Sequence, residues 1–340
     1  MQVLLDNSNH DGFLSFRFVA GAFLQSSLWR SFLDQQGKRS WQLVLKNEGQ
    51  TRGFCLLYEN QLPLGKSYLY APKGPLFDPA LSHQDRKESL ALLLSKIRDL
   101  LSDTKKREEI FLKLDLPQDI EIPTSLLKSD DVQPRDSWIL ELGPSLDQLL
   151  SQMHPKTRYN INLAQRHGVK IVFSQVAEDL KYFLELIKKT ATRNQISVHS
   201  DDYYHKLWST LLKHRAGYLA LARVKERVLA ANIVLNFGLG ASYVHGGSDY
   251  KYRALMAPHL LQWESIKKAK EQGKRFYDFG GVAPTDGSRS RWEGLSRFKK
   301  GFGGQLATSP GAYSLIYDQG WYRLYRYFNK LRRILSWLRK

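Results

Sequence analysis

The sequence predicts an α+β protein made of two tandem units. Two observations carry this. One order of elements (helix, two or three strands, helix, strand) occurs twice, and a short local pattern sits at the same place in each copy: Gly65-Lys66-Ser67-Tyr68-Leu69-Tyr70 in the first, Gly240-Ala241-Ser242-Tyr243-Val244-His245 in the second. A third supports them: Pro117 to Pro144, rich in proline, aspartate and serine, separates the copies. With 340 residues and 42% hydrophobic content, the chain is long enough for two cores.

In the first copy, Ser27 to Gln36 reads as a helix. The apolar runs Trp41–Leu45 and Gly53–Tyr58 read as strands. A turn at Pro63-Leu64-Gly65 leads to a strand at Ser67–Tyr70. Leucines and an isoleucine at helical spacing mark a helix over Gln84–Leu101, and Ile110–Leu116 is a closing strand. The second copy opens with helices at Leu180–Thr190 and Asp202–His214. Strands follow at Tyr218–Val224 and Val228–Phe237, joined by the polar turn Lys225-Glu226-Arg227. A strand at Ser242–His245, a helix over Ala257–Gln272 and a strand at Arg275–Phe279 complete it. The domain boundary is expected near Gly143-Pro144. Domains are expected over residues 1–144 plus 305–340, and over 145–304.

Lysine and arginine total 51 against 33 acids, a formal net charge of +18. That balance favours an acidic partner, whether nucleic acid, phosphorylated metabolite or anionic membrane, without choosing among them. A basic cytosolic enzyme with no nucleic-acid role fits equally. The one cysteine, Cys55, lies in the apolar run Phe54–Leu57, which excludes an intrachain disulfide and a cysteine-based zinc site. No His-Glu-x-x-His occurs, so neither metal nor other cofactor is expected. The N-terminus lacks the basic start and apolar stretch of a signal peptide, and no run approaches the ~20 apolar residues of a spanning helix, so a cytoplasmic location is expected.

Two segments carry candidate chemistry. Over His154–Gly168, an early proline and a final glycine bracket a short helix bearing Lys156, Arg158, Arg166 and His167 with no neutralising acid. It reads either as a contact for phosphate or RNA backbone or as a solvated basic face. The other runs from Phe276 to Gly304: Phe276–Val282, read as a buried strand that breaks at paired glycines, then Trp292, then the glycine-rich turn Gly294–Gly304 with Lys299 and Lys300. Glycines allow close backbone approach, and a fixed lysine can neutralise an oxyanion or grip a diphosphate. A tight turn with exposed lysines is the other reading. Asp278-Phe279-Gly280 matches the kinase metal-binding triplet, but the remaining kinase motifs are missing, as are G-x-G-x-x-G, the P-loop and Gly-x-Ser-x-Gly.

Together, Lys156-x-Arg158-x-x-Ile161-x-x-Ala164-x-x-x-Gly168, Tyr277–Gly281, Gly294-Leu295-x-x-Phe298-Lys299-Lys300-Gly301-Phe302-Gly303-Gly304 and Phe23-Leu24-Gln25-Ser26-x-x-Trp29 resemble the Fem family of bacterial cell-wall peptidyltransferases. The likeness runs through the chain in order. No heptad hairpin fits between Ala191 and Ser200, so the layout resembles the short FemX type, without a coiled-coil arm. The resemblance implies two GNAT-like domains. It also implies transfer of an amino acid from aminoacyl-tRNA to the stem-peptide amine of UDP-MurNAc-pentapeptide or its lipid-linked form, lipid II.

By residue match, Lys299 is the charge at the reacting centre or on the tRNA terminus, with Phe298 beside it. Arg193, in Thr190-x-x-Arg193-x-x-Ile196, matches the position expected to bind precursor phosphate. Tyr243 and Asp278 join it as candidate substrate-binding residues. A lysine expected soon after Trp29 is missing: Leu33 stands near that place, with Arg30 and Lys38 as the flanking cations. Asp115, near the end of its strand as Asp278 is near the end of its own, is a candidate to orient or deprotonate the amine, or a structural residue. Lys156, Arg158, Arg166 and Lys300 are the candidate tRNA or phosphate contacts. A monomer is expected.

A GNAT-type transferase using acyl-CoA and a non-catalytic RNA- or membrane-binding protein are the rival classes. The first should show a Gln/Arg-x-x-Gly-x-Gly/Ala loop before Gln84 or Ala257, and none is there. The second does not need the Tyr277–Gly281 strand joined to the Phe298–Gly304 turn. In the tail, Trp321, Leu324, Tyr325, Phe328, Leu331, Leu335 and Leu338 fall at helical spacing, with Arg323, Arg326, Lys330, Arg333 and Lys340 on another face and no acid after Asp318. Residues 321–340 read as a basic amphipathic helix. It either lies peripherally on the anionic inner membrane surface, packs on the first domain facing tRNA, or simply closes the fold.

Overall fold

A computed structural model describes residues 1–15, 20–102, 108–117, 120–284 and 292–338, with side chains described except at 101, 102 and 332–338. It divides into two units: Met1–Phe13, Leu24–Arg135 and Ser309–Lys340 form the first, and Leu14–Phe23 with Asp136–Thr308 the second.

The first unit holds an eight-stranded sheet. Gln2–Leu5, Ser40–Asn47, Gln50–Gln61 and Ser67–Ala71 pair antiparallel in that order, and Leu76–Phe77 pairs with Gln50–Gln61. The helix His83–Ser102 then crosses over, so Glu109–Leu116 pairs parallel to Ser67–Ala71. Gly311–Ile316 and Leu126–Lys128 complete the sheet antiparallel. Leu43, Cys55, Leu57, Leu69, Leu112 and Leu114 meet Leu90, Leu93 and Ile97 of the crossover helix in one core, which gives Cys55 a packing role. Burial pushes its thiol pKa up to about 12.

The second unit repeats this plan. Lys170–Ser174, Gly217–Val224, Arg227–Phe237 and Gly240–Ser248 run antiparallel, and the helix Ala257–Glu271 leads to Phe276–Gly281, parallel to Gly240–Ser248. Asp136–Glu141 and Gln305–Thr308 close the sheet antiparallel. Among the described residues, each sheet thus has a single parallel pair, made by a helical crossover after the strand that carries the shared local pattern.

Register refines the match between the copies. Ser242 pairs with Asp278, whereas Ser67 pairs with Glu109. Asp115 therefore sits farther along its strand than Asp278 does.

The units part at Arg135/Asp136 and Thr308/Ser309 rather than at Gly143-Pro144 and Gly304/Gln305. The physical reason is Asp136–Glu141: inside the proline-rich segment it forms a strand whose partners Phe276–Gly281 and Gln305–Thr308 belong to the second sheet. A further difference concerns Gly294–Gly304. Glu293–Lys300 is a helix, burying Ser296 and Lys299 three residues apart, and only Gly301–Gly304 is a turn.

The tail is a helix over Gln319–Leu338. Its inward residues are Trp321, Tyr322 and Tyr325, which pack with Ile110 and Phe111. Leu324 and Phe328, expected on the same apolar stripe, are exposed instead, because the helix docks through the face of Tyr322. The side chains of Arg333, Leu335 and Leu338, and all of Lys340, lie outside the described residues. No helix among the described residues is long and apolar enough to cross a membrane.

Candidate active site

The second unit contains a cleft of about 1390 Å³. Its walls come from Gly240–Ser248, the segment that follows it, the start of Ala257–Glu271, the end of Phe276–Gly281 and the helix Glu293–Lys300. Lys299, Phe298, Tyr243 and Arg193 all line it.

Lys299 is 5% exposed. Its Nζ donates 2.6 Å to the carbonyl of Gly281 and lies 5.9 Å from the centre of the Tyr243 ring. Gly280 positions that carbonyl. Its φ of +71° bends the strand end in a way glycine tolerates best, and its N–H donates 2.7 Å to Asp278 Oδ1. Asp278 Oδ2 accepts from the Gly21 N–H at 3.2 Å. Asp278 is buried, does not line the cleft, and holds the turn beneath it. Desolvation lowers the Lys299 pKa from 10.5 to about 8, against the opposing pull of the Asp278 charge. A buried ammonium that gives one N–H to the Gly281 carbonyl is poised to donate another to a developing negative charge.

Phe298 packs edge-on to His259, with ring centres 5.1 Å apart. His259 sits in the first turn of Ala257–Glu271, and burial lowers its pKa to about 4, with the nearby Lys156 charge adding to the effect. Asn160 Nδ2 lies 3.2 Å from its Nε2, while Nδ1 is buried with no hydrogen-bond partner among the described residues. Asn232 and Gln262, also on the cleft wall, form a relay: Asn232 Nδ2 donates to Gln262 Oε1 at 3.0 Å, and Gln262 Nε2 donates to Tyr277 Oη at 2.8 Å. His199, Tyr204 and His245 form a further aromatic wall. Burial lowers the His245 pKa to about 3, and it keeps the His199 ring below its usual range as well. His259 and His245 are thus neutral at pH 7.

None of His259, Asn232, Gln262 and His245 was expected from the sequence. His259, Asn232 and Gln262 belong to no motif, His245 ends the shared pattern Gly240–His245 without a role read for it, and the four are brought together only by the sheet and its crossover helix. The paired glycines Gly246-Gly247 inside a strand were the available clue. A Cβ at Gly247 would lie 2.6 Å from the backbone of Leu186 and Ile187, so the first of the two opening helices lies directly against that strand.

At the rim, Arg193 and Arg253 lie over the ring of Tyr250 at 5.1 and 4.3 Å, and Arg193 is exposed. Lys156 and Arg166 are exposed on the helix Pro155–Arg166, with Arg166 over the Tyr159 ring. Lys300 lies over Trp138 at 5.3 Å.

Arg158 is differently employed. Its Nη1 donates to the carbonyls of Met153 at 2.6 Å, Ser151 at 3.0 Å and Leu150 at 3.4 Å, satisfying the end of the preceding helix Leu146–Gln152. The structure gives it a capping role at the end of that helix. Arg158→Ala should therefore cost about 1–2 kcal/mol, read as a lower Tm, and leave the salt dependence of RNA binding unchanged.

Three candidates belong to the first unit. Arg30 donates to Gln42 Oε1 at 2.6 Å, and Lys38 donates to Asn60 Oδ1 at 2.8 Å, with burial lowering the Lys38 pKa. Asp115 is buried and accepts from the Tyr70 hydroxyl; desolvation raises its pKa, and its Oδ1 has no hydrogen-bond partner among the described residues. Leu33, 2% exposed, belongs to the core, so the place of the missing lysine is filled by packing.

The fold and cleft define a two-unit α+β protein with a desolvated lysine set into the wall of its second unit's cleft. The chain belongs to the FemAB family, matching it over residues 125–228 and 222–330. It is 22% identical to the lipid II:glycine glycyltransferases of Staphylococcus epidermidis and Staphylococcus aureus, with 94% of each chain aligned in both cases. The first alignment runs over 399 positions against 340 residues here, so that relative carries segments this chain lacks. Between Leu180–Asn194 and Asp201–Lys213 there is only a short loop, with no helical arm. A crystal structure of FemX shares the fold, with a TM-score of 0.81 and 20% identity over 95% of this chain and 99% of the other.

Proposed function

We propose that this chain is an aminoacyltransferase that moves an amino acid from aminoacyl-tRNA to the stem-peptide amine of a peptidoglycan precursor, UDP-MurNAc-pentapeptide or lipid II, building the interpeptide bridge. The observation that carries the reading is Lys299, buried, partly stripped of its hydration and held beside Phe298 and Tyr243 in a cleft open to substrate. The family and the named activity of the staphylococcal relatives support it.

The chemistry asks little of the protein. An amine attacks an activated ester carbonyl, a C–N bond forms, and the ester C–O bond breaks. The ribose hydroxyl leaves with a proton, and the amine loses one. Orientation and oxyanion stabilisation are the main contributions left to the enzyme. The Lys299 ammonium keeps two N–H groups beyond the one given to Gly281, enough to meet the oxyanion. Arg193 and Arg253 at the rim, with exposed Lys156, Arg166 and Lys300, offer cations to the phosphates of polyanionic substrates.

The test is incubation with charged tRNAs and each precursor in turn, read by mass spectrometry. A gain of one amino-acid residue that RNase abolishes is expected; no gain with any charged tRNA on either precursor rejects the reading.

A further inference from the structure

The helix Gln319–Leu338 is only half used by the fold. Asp318 starts it, its side chain accepting from the Trp321 N–H at 3.0 Å and its carbonyl from Tyr322 at 3.0 Å. Phe111 holds Tyr322 and Tyr325, with ring centres 5.1 and 5.0 Å away. The opposite face carries Leu324, Tyr327 and Phe328, which are 39%, 59% and 54% exposed, followed by half-buried Leu331. These four fall at i, i+3, i+4 and i+7, one continuous apolar stripe. Arg323, Arg326 and Lys330, all exposed, run alongside it. The sequence continues with Arg332, Arg333, Ile334, Leu335, Trp337, Leu338, Arg339 and Lys340, and no acid follows Asp318.

We infer that this face is a docking surface for an anionic lipid bilayer. The argument is charge complementarity joined to apolar exposure. A stripe of leucine and aromatic side chains gains by leaving water, and the flanking cations gain by meeting acidic headgroups. An RNA partner would use the cations and leave most of the Leu324–Leu331 stripe in water. A protein partner would need an acidic groove to satisfy the same row. The helix fits the bilayer best because its inner face is already committed to Phe111, which leaves the apolar stripe turned outward for shallow insertion. The surface stands apart from the transfer reaction and does not rest on it.

The test uses the full chain in flotation with phosphatidylcholine vesicles and with equimolar phosphatidylcholine–phosphatidylglycerol vesicles. Binding to the acidic vesicles should be at least about tenfold tighter and should weaken with salt. Arg323→Gln/Arg326→Gln/Lys330→Gln should erase the preference for acidic lipid. Leu324→Ser/Phe328→Ser should lose binding to the acidic vesicles about tenfold, with an unchanged Tm because both side chains are exposed. Absent binding, equal binding to both vesicle types, or wild-type binding by the serine variant overturns the inference. So does an outcome in which only single-stranded RNA binds and the glutamine variant loses it. Failure of the transfer reaction would leave the vesicle result standing, and the glutamine variant should still act on the water-soluble precursor.

Discussion

Lys299→Met should lower amino-acid transfer about 10²–10³-fold, the usual cost of removing one donor from an oxyanion site, while leaving Tm close to wild type. The second half follows from the electrostatics. Burial holds the lysine at about 8 rather than 10.5, so the charged form is disfavoured in the folded state by a few kcal/mol. Methionine removes that penalty but leaves the Gly281 carbonyl without its 2.6 Å donor, a loss of about 1–3 kcal/mol. The two effects oppose each other. The sign in pH is the reverse of a stabilising ion pair. Between about 8 and 10.5 the unfolded chain holds the proton that the folded chain has released, so stability rises with pH through that window. The penalty is present in full below it. That rise should vanish in Lys299→Met. If the ammonium is the active form, wild-type transfer per intact ester should fall above pH 8, and the residual activity of the variant should lack that limb. Transfer is measured by mass spectrometry and stability by thermal melts across pH. Activity above a third of wild type would remove Lys299 from the reacting centre.

The repeated plan was legible because it rests on local patterns. Apolar runs such as Phe54–Leu57 and Leu229–Leu235, and helical spacing over Gln84–Leu101, each report their own element. Strand partners were not legible. Asp136–Glu141 is a short run inside a proline- and aspartate-rich segment, and its partners lie more than a hundred residues away. Gly311–Ile316, which completes the first sheet beside Glu109–Leu116, was missed for the same reason. Glu293–Lys300 read as a turn because Gly294 and Gly301 bracket it; burial of Ser296 and Lys299 outweighs that local tendency. In the site, positive charge beside glycine was visible from residues alone, while the roles of Lys299, Phe298 and Arg193 came from family resemblance. Charge counting could not separate Arg158, spent on three carbonyls, from exposed Lys156. Nor could it find Asn232 and Gln262, thirty residues apart and joined only through the fold.

Gly304→Ala should destabilise the protein by roughly 3–5 kcal/mol, whereas Gly303→Ala next to it should cost about 1 kcal/mol. Both glycines have positive φ, +82° at Gly303 and +94° at Gly304, so alanine at either pays a backbone strain. The difference is space. A Cβ on Gly303 would meet Gln152 no closer than 3.6 Å, but one on Gly304 would lie 2.4 Å from the carbonyl oxygen of Ile139. That oxygen belongs to a central strand and cannot retreat without disturbing its pairing to Phe276–Gly281 and Gln305–Thr308. The turn is pinned from outside as well: Trp138 Nε1 donates 2.7 Å to the Gly303 carbonyl, and the His154 N–H donates 2.9 Å to that of Gly301. Phe302, fully buried, plugs the core between Phe279 and Phe298. These glycines therefore bring a helix end against a sheet; from Gly294–Gly304 the cleft receives Gly294, Leu295, Phe298 and Lys299, and its lining does not include Gly301–Gly304. Gly303→Ala should accordingly keep transfer near wild type, with any loss at Gly304→Ala tracking unfolding. Chemical denaturation of both variants, with transfer measured well below each midpoint, separates the roles. A stable Gly304→Ala protein defective in transfer would return the turn to the binding site.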